Sequence, residues 1–222
     1  MIFDLSVTSG LAHCHARGLY SIVLQTAPMV RLFYAAPDHA LYRNQTGRVV
    51  GFHAHHCNLT LIPVFGQITN VFGQRQNLRP TAKDYTERKV VDTRAFWYQS
   101  VITGGVRSGA GFRAISPTIH TIRVWPRPMH DAMIMDAGAL HTIDLVRGQD
   151  AAWVVFEGGE DPFYRPATYA PLCVDLTRTS FDGMYQPMPE DEIRKVLARV
   201  TAMGLYRIKN WGLVGGWHER GL

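Results

Sequence analysis

The sequence predicts an all-β fold of the barrel type. Short apolar runs rich in β-branched and aromatic residues, separated by turn residues, extend from Tyr20 to Phe156, and clear helical periodicity is confined to the C-terminal part. Hydrophobic residues make up 46% of the 222 residues and charged residues only 18%, so the chain can bury a full core. We therefore expect one domain over residues 1–222, with the barrel core at about 20–175 and a strap and helix at 176–222.

The strands are predicted from apolar runs bounded by glycine, proline and other turn residues. They cover residues 19–24, 30–35, 49–55, 59–65, 67–72, 96–103, 118–124, 132–135, 140–146 and 151–157. Gly66 and Gly104-Gly105 each follow a strand, and the segment Arg147-Gly148-Gln149-Asp150 separates two apolar runs. The last segment predicts a hairpin connection.

The C-terminal part contains the clearest helix. Pro189 is expected at its first position, three acidic residues follow in the first turn, and Gly204 suits its end. Its apolar residues recur at helical spacing and are Ile193, Val196, Leu197 and Val200. We expect this helix to pack on the outside of the barrel, and residues 157–188, which are rich in proline and aromatic residues, to form an ordered strap over it.

Charge and cysteine content exclude several classes of protein. The net charge of +5 comes from scattered basic residues, without a helix-length basic stripe or an aromatic RNA-stacking motif, so nucleic-acid binding is not expected. Cys14, Cys57 and Cys173 are odd in number and have no C-x-x-C spacing, which favours a reducing compartment. The first residues do not resemble a signal peptide, and no window is apolar enough to span a membrane, so we expect a cytoplasmic protein.

The most informative segment carries three histidines within one predicted strand. Residues two apart in a strand share a face, so His53 and His55 point the same way and His56 points the opposite way. His141 follows a glycine-containing turn at the start of another strand. Neutral imidazole is a common ligand of iron, nickel, copper and zinc, and three such donors leave positions free for other ligands. We therefore predict one metal site formed by His53, His55 and His141.

These residues resemble the two motifs of the cupin superfamily, G-x5-H-x-H-x3,4-E-x6-G and G-x5-P-x-G-x2-H-x3-N. His53, His55 and Gly66 match the first motif in spacing, and Gly138 and His141 match the second. In place of the motif proline, glutamate and asparagine, this sequence has Asp136, Leu59 and Leu145. The absent glutamate makes the chain similar to the three-histidine cupins of the cysteine dioxygenase group, over about residues 20–175.

This resemblance implies a cupin barrel of the double-stranded β-helix or jelly-roll type, with Fe(II) at the three histidines and dioxygen as co-substrate. It predicts an oxygenase or dioxygenase that acts on a metal-chelating small molecule. The Ser-x-His-x-Tyr relay of the thiol dioxygenases is absent, since Val154, Phe156 and Gly158 occupy those positions in an ungapped comparison. A substrate other than free cysteine is therefore expected.

Three further residues are candidates for the substrate pocket. The resemblance implies that Arg31, on an early strand, could hold a substrate carboxylate through its planar guanidinium group, and a surface ion pair is the alternative. Tyr34 and Tyr98 are weaker pocket candidates. His120 and His130 are further candidates that could reach the metal site. His56 is expected in a structural role near the ligands or, through a bulge, as a fourth ligand.

Alternative functions stay open at this stage. The same scaffold could be an isomerase or lyase that uses Zn, Ni or Mn as a Lewis acid, or a ligand-binding protein without catalysis. The long spacer between the two motifs, residues 67–135, is expected to be an insertion or lid. Exposed strand edges make a homodimer possible.

Overall fold

The computed structural model describes residues 12–16, 18–38, 51–77, 80–87, 89–103, 106–160, 167–172, 177 and 186–205. Its strands are β1 (Ala12–Ala16), β2 (Leu19–Thr26), β3 (Met29–Ala35), β4 (Phe52–His53), β5 (Cys57–Phe65), β6 (Ile68–Arg75), β7 (Val90–Thr103), β8 (Val106–Pro128), β9 (Met133–Met135), β10 (Leu140–Leu145), β11 (Ala151–Glu160), β12 (Ala167–Pro171) and β13 (Gln186–Pro187). The helices are α1 (Ala82–Thr86) and α2 (Glu190–Val200), and α2 continues into a π-helical turn at Thr201–Leu205. The predicted all-β fold with a C-terminal helix is confirmed.

In the described part of the chain, the strands form two antiparallel units. Seven strands form one sheet in the order β13-β1-β2-β3-β11-β5-β9, which we call sheet A. The other six close on themselves in the order β10-β4-β12-β7-β8-β6, which we call the ring. Closure satisfies the backbone hydrogen bonds that an open edge would leave unpaired.

Sheet A has apolar residues on both faces because it is covered on both sides. Val154 at its centre lies opposite Leu32 on β3 and Ile62 on β5. One face packs against α2. The other face, with Trp153 and Leu61, packs in a cluster that includes Ile68 and Leu145 from the ring. We call the space around this second cluster the central layer.

Helix α2 lies on the outside, as predicted. Its buried residues pack on the outer face of sheet A and are Ile193, Val196, Leu197 and Val200. One detail of the prediction was wrong: Pro189 is the N-cap, and the helix begins at Glu190. Gly204 does not end the α-helix, which gives way to the π-helical turn after Val200.

The predicted insertion or lid between the two motifs is instead part of the barrel wall. Strands β7 and β8 form a long hairpin, and β8 also pairs with β6 while β7 pairs with β12. The length of the spacer therefore reflects long strands. The extra residues lengthen a hairpin that is already in the ring and do not form a separate unit.

Two predicted connections also differ from the structure. Residues 167–171, placed in the strap, form β12, which pairs with both β4 and β7 and so completes the ring. The segment 147–150 does not close a hairpin, because β10 pairs within the ring and β11 pairs within sheet A. It carries the chain from one unit to the other.

Most predicted strands are observed within a few residues of their predicted bounds, but β7 (Val90–Thr103) and β8 (Val106–Pro128) are much longer than the predicted strands 96–103 and 118–124. The predicted strand 49–55 is observed only at Phe52–His53, with residues 49 and 50 outside the described part. Strand β1 was not predicted. None of the described helices is long and apolar enough to cross a membrane.

Candidate metal centre

Three histidines from separate parts of the chain come together beside the ring. His53 is the last residue of β4 and lies directly opposite His141 on β10, and His55 follows two residues after His53. One ring nitrogen from each histidine falls within a group whose members all lie within 4.8 Å of one another. Among the described residues these three form the group of side chains that could hold a metal ion, so the predicted trio converges.

Hydrogen bonds orient two of the three imidazoles. The Nδ1–H of His53 donates to the carbonyl oxygen of Gly51 at 3.0 Å, and the Nδ1–H of His141 donates to Oδ1 of Asn70 at 3.0 Å. An imidazole that donates through Nδ1 and is neutral carries its lone pair on Nε2. Both rings are thus set to offer Nε2 to a common ligand.

One pair of ring nitrogens has the spacing of two ligands on a single cation. Nε2 of His55 and Nε2 of His141 are 3.0 Å apart. Two imidazole nitrogens at right angles, each about 2.1 Å from one metal ion, would be about 3.0 Å apart. This distance is that of two ligands on a shared ion, and it is also that of a hydrogen bond from Nε2–H of His55 to the lone pair of His141 when no ion is bound.

Burial keeps the trio neutral near pH 7. It lowers the pKa of His53, and it lowers the pKa of His141 well below its usual value, with a further lowering from the two neighbouring histidines. Burial, followed by the charges of His53 and His56, lowers the pKa of His55 to about 3. Neutral imidazoles are the metal-binding form, so protons do not compete with a metal ion at neutral pH.

Asn70 holds His141 through a hydrogen bond, and the sequence analysis missed it. It is fully buried on β6, and its amide nitrogen points toward Sδ of Met129 at 3.7 Å and Sδ of Met133 at 3.5 Å. The amide nitrogen is a donor and thioether sulfur can accept only weakly, so the amide group is oriented with its oxygen toward Nδ1 of His141. A polar residue between the inward-facing Ile68 and Phe72 in a predicted strand is the signal that could have identified it.

A glycine turn holds the two halves of the site together. Gly138, at φ 82°, donates its N–H to the carbonyl oxygen of His55 at 3.1 Å. The N–H of Ala137 donates to Oδ1 of Asn58 at 2.7 Å. The turn that precedes His141 is therefore tied to the segment that follows His55.

Arg31 lies on the inner face of sheet A, since Val30 and Leu32 on either side of it pack in the cluster with helix α2. Its Nε is 2.6 Å from Oε1 of Glu157, although the N–H does not point along this line. Glu157 in turn lies directly opposite Leu59. Leu59 occupies the position where the first motif has glutamate. Its cross-strand neighbour Glu157 forms the ion pair with Arg31.

The other pocket candidates lie elsewhere or outside the described part. Tyr34 packs in the cluster with α2, on the face of sheet A opposite to Arg31, and its hydroxyl donates to Asp150 at 3.4 Å. The structure therefore does not bring it to the trio. Tyr98 lies in β7 opposite Phe112, and its side chain is outside the described part.

The further candidate histidines do not join the group of ligand atoms found among the described residues. His56 is partly buried next to His55. The ring of His120 packs edge-on against Tyr169 at 5.5 Å, and His130 is exposed.

Comparison with known proteins gives a distant structural similarity. The polyketide cyclase RemF from Streptomyces resistomycificus matches with 10% identity over 80% of this chain and 87% of that chain, with a TM-score of 0.39. Two structures of oxalate oxidase, one in complex with the substrate analogue glycolate, match with 10% and 11% identity over 91% of this chain and 75% of theirs, each with a TM-score of 0.33. No family model and no curated protein matches the chain. Similarity at this level assigns neither a family nor an activity.

Proposed function

We propose that this chain is a cupin-type metalloenzyme in which His53, His55 and His141 hold one divalent metal ion. We further propose that the ion is Fe(II) and that the reaction is the oxygenation of a small molecule that chelates it. The observation that carries the proposal is the convergence of three neutral imidazoles, two of them oriented by hydrogen bonds so that Nε2 is the free donor. A 3-His site with open positions suits metal-assisted chemistry better than a closed structural site does.

The charge of the site favours an anionic substrate. Three neutral ligands leave the full charge of a divalent ion uncompensated, and the metal-ligating group found among the described residues contains no carboxylate. A substrate with a carboxylate, enolate or phenolate donor would supply this missing charge. When bound, Fe(II) would supply a site for the activation of dioxygen, and the substrate would supply the electrons that reduce it.

The chain's own residues hold and shield the site. Asn70 and Gly51 hold the rings of His141 and His53, and the turn at Gly138 holds the backbone of His55. Met129 and Met133 of the apolar central layer contact Asn70, which holds His141, and we propose that this layer excludes water from that side of the site. The expected consequence is a preorganised, partly dry ligand set.

Arg31 is proposed as the anchor for a substrate carboxylate. Its Nε lies 2.6 Å from Oε1 of Glu157 in an ion pair, and we propose that the terminal nitrogens of the guanidinium group bind the substrate carboxylate. Glu157 would then hold the guanidinium plane in position.

Metal analysis of freshly purified protein tests the proposal before any substrate is known. We expect close to one equivalent of iron in the wild type and loss of metal in H53A, H55A and H141A, whereas H130A, which alters an exposed histidine, should keep it. Full metal content in H141A would overturn the assignment.

Oxygen dependence tests the reaction class. Once a substrate is found, consumption of dioxygen in step with product would support the oxygenase. Turnover under strict anaerobiosis would exclude it and favour the isomerase or lyase reading with Zn, Ni or Mn.

A further inference from the structure

Four residues with imidazole or aromatic side chains lie next to one another across neighbouring strands of the closed six-stranded unit, starting at the candidate metal centre. His53 on β4 is directly opposite His141 on β10, His141 is directly opposite Phe72 on β6, and Phe72 is directly opposite Trp125 on β8. Residues directly opposite each other in antiparallel strands project from the same face. We call these four residues the ring row. The register alone therefore leads from the metal ligands to a pair of aromatic side chains.

At the aromatic end of the ring row, Phe72 is partly buried and Trp125 is exposed. The rings of Phe72 and Trp125 are stacked, with centroids 6.1 Å apart and planes 16° apart. Trp125 remains 43% exposed. A large aromatic side chain held in a stack and left open to solvent beside a metal site provides a surface for another flat ring.

Basic residues flank the aromatic pair. Arg123 and Arg127 lie two residues on either side of Trp125 in β8, so they share its face, and both are exposed. Neighbouring guanidinium groups favour an anionic ligand and stack well on aromatic rings. Arg123 also lies near Asp84. Hydrogen bonds with Thr81 are the main cause of the lowered pKa of Asp84, and the positive charge of Arg123 makes a smaller contribution.

We propose that the substrate is a flat aromatic or conjugated anion that chelates the metal with one end and stacks along Phe72 and Trp125 with the other. This inference rests on the proposed metal function of the trio. Strands lie about 4.8 Å apart, which puts Phe72 one spacing and Trp125 two spacings, or about 9.6 Å, from His141. A single chelating ring therefore reaches Phe72, and a fused or extended ring system reaches Trp125.

The experiment compares three chelators on metal-loaded protein by calorimetry. The probes are lactate, salicylate and 1-hydroxy-2-naphthoate, which are all hydroxy acids with no ring, one ring and two fused rings. We expect affinity to rise in that order and to fall when the metal is removed. W125A should lose about two- to tenfold in affinity for the naphthoate and little for lactate.

Two variants make the outcome specific. W97A removes a tryptophan of similar exposure, 46%. Trp97 is paired with Ala167, and the next residue, Thr168, is paired with His53, so Trp97 projects from the face opposite to that of the ring row. Its loss should leave binding unchanged. W125F keeps a flat ring and should restore most of the naphthoate affinity. Metal content and thermal unfolding of each variant check that the site and the fold are intact.

The possible outcomes separate this inference from the metal function. Wild-type protein that binds no metal would overturn the proposed function. Protein that binds metal but binds lactate as tightly as the naphthoate, or whose naphthoate affinity is unchanged in W125A or on metal removal, would overturn the aromatic substrate class alone.

Discussion

At the scale of single residues, Asn70 shows how one buried side chain can orient a candidate metal ligand. Its oxygen accepts the Nδ1–H of His141, and its nitrogen faces two thioethers that compete weakly for a hydrogen bond. This arrangement determines which nitrogen of His141 faces the other histidines. Groups behind the ligands commonly affect metal affinity strongly in this way.

Replacing Asn70 by Leu should weaken metal binding by about 10- to 100-fold, because the Nδ1–H of His141 would lose its acceptor and the ring its orientation. N70D keeps an acceptor at the same place and should bind the metal ion about as tightly as the wild type does. Competition with a chromophoric chelator measures both. Equal affinity in N70L and the wild type would show that Asn70 has no positioning role.

At the scale of elements, the turn at Gly66 is more constrained than the turn at Gly148. Both glycines have positive φ, 81° and 76°. A Cβ at Gly66 would lie 2.5 Å from the carbonyl oxygen of Asp150 and 2.6 Å from Cα of Ala151, whereas a Cβ at Gly148 would meet nothing within 4 Å. The glycine of the first motif thus packs against the start of β11.

G66A should therefore destabilise the protein more than G148A. Each variant has the cost of a left-handed residue, about 1 kcal/mol, and only G66A adds a clash with backbone atoms that cannot move independently. Urea denaturation of the two variants gives the difference directly. Equal loss of stability would mean that β5 and β11 can separate locally without cost.

Helix α2 belongs to stability and not to the metal site. Ile193 is 1% exposed and packs on the outer face of sheet A, whereas the trio lies beyond the inner face. We expect I193A to lower the free energy of unfolding by about 2–5 kcal/mol while metal content stays unchanged. R194A, on the exposed side of the same helix, should change stability by less than about 0.5 kcal/mol. Loss of metal in folded I193A would contradict this separation.

At the scale of the whole molecule, the trio couples folding to pH and to metal. The folded state holds His53, His55 and His141 with lowered pKa values, while in the unfolded chain they titrate near 6.5. Below pH 6.5 the unfolded chain binds more protons than the folded one. The stability they contribute is complete above pH 6.5 and decreases as the pH falls toward about 3, where His55 protonates in the folded state.

Metal-free protein should therefore lose stability between pH 6.5 and 5, a range in which ordinary carboxylates stay ionised. The slope approaches about 1.4 kcal/mol per pH unit for each histidine. Urea denaturation at several pH values measures it, and H55Q should show a smaller slope. A metal ion that binds only the folded state should raise the melting temperature with its concentration. A pH-independent stability over this range would contradict neutral buried imidazoles.

The sequence by itself determined the strand-rich fold, the C-terminal helix and the three histidines that the structure brings together. Alternation with a period of two and the positions of glycine are local properties, so most strands can be read along the chain. His55 lies beyond the end of β4, so its approach to His53 is not the sharing of a strand face that the sequence predicted. The pairing of His141 with them followed from motif spacing. Arg31 was placed on an early strand, and its proposed role stays a prediction.

Only the tertiary structure decided which distant strands are neighbours and in what register. Closure of the ring by β12, the hydrogen bond from His141 to Asn70 and the alignment of Phe72 with Trp125 all depend on pairings between segments far apart in sequence. A shift of one residue in any of these pairings would turn the side chains to the other face. Register is set by the packing of both sheet faces together, and no local pattern in the sequence contains that information.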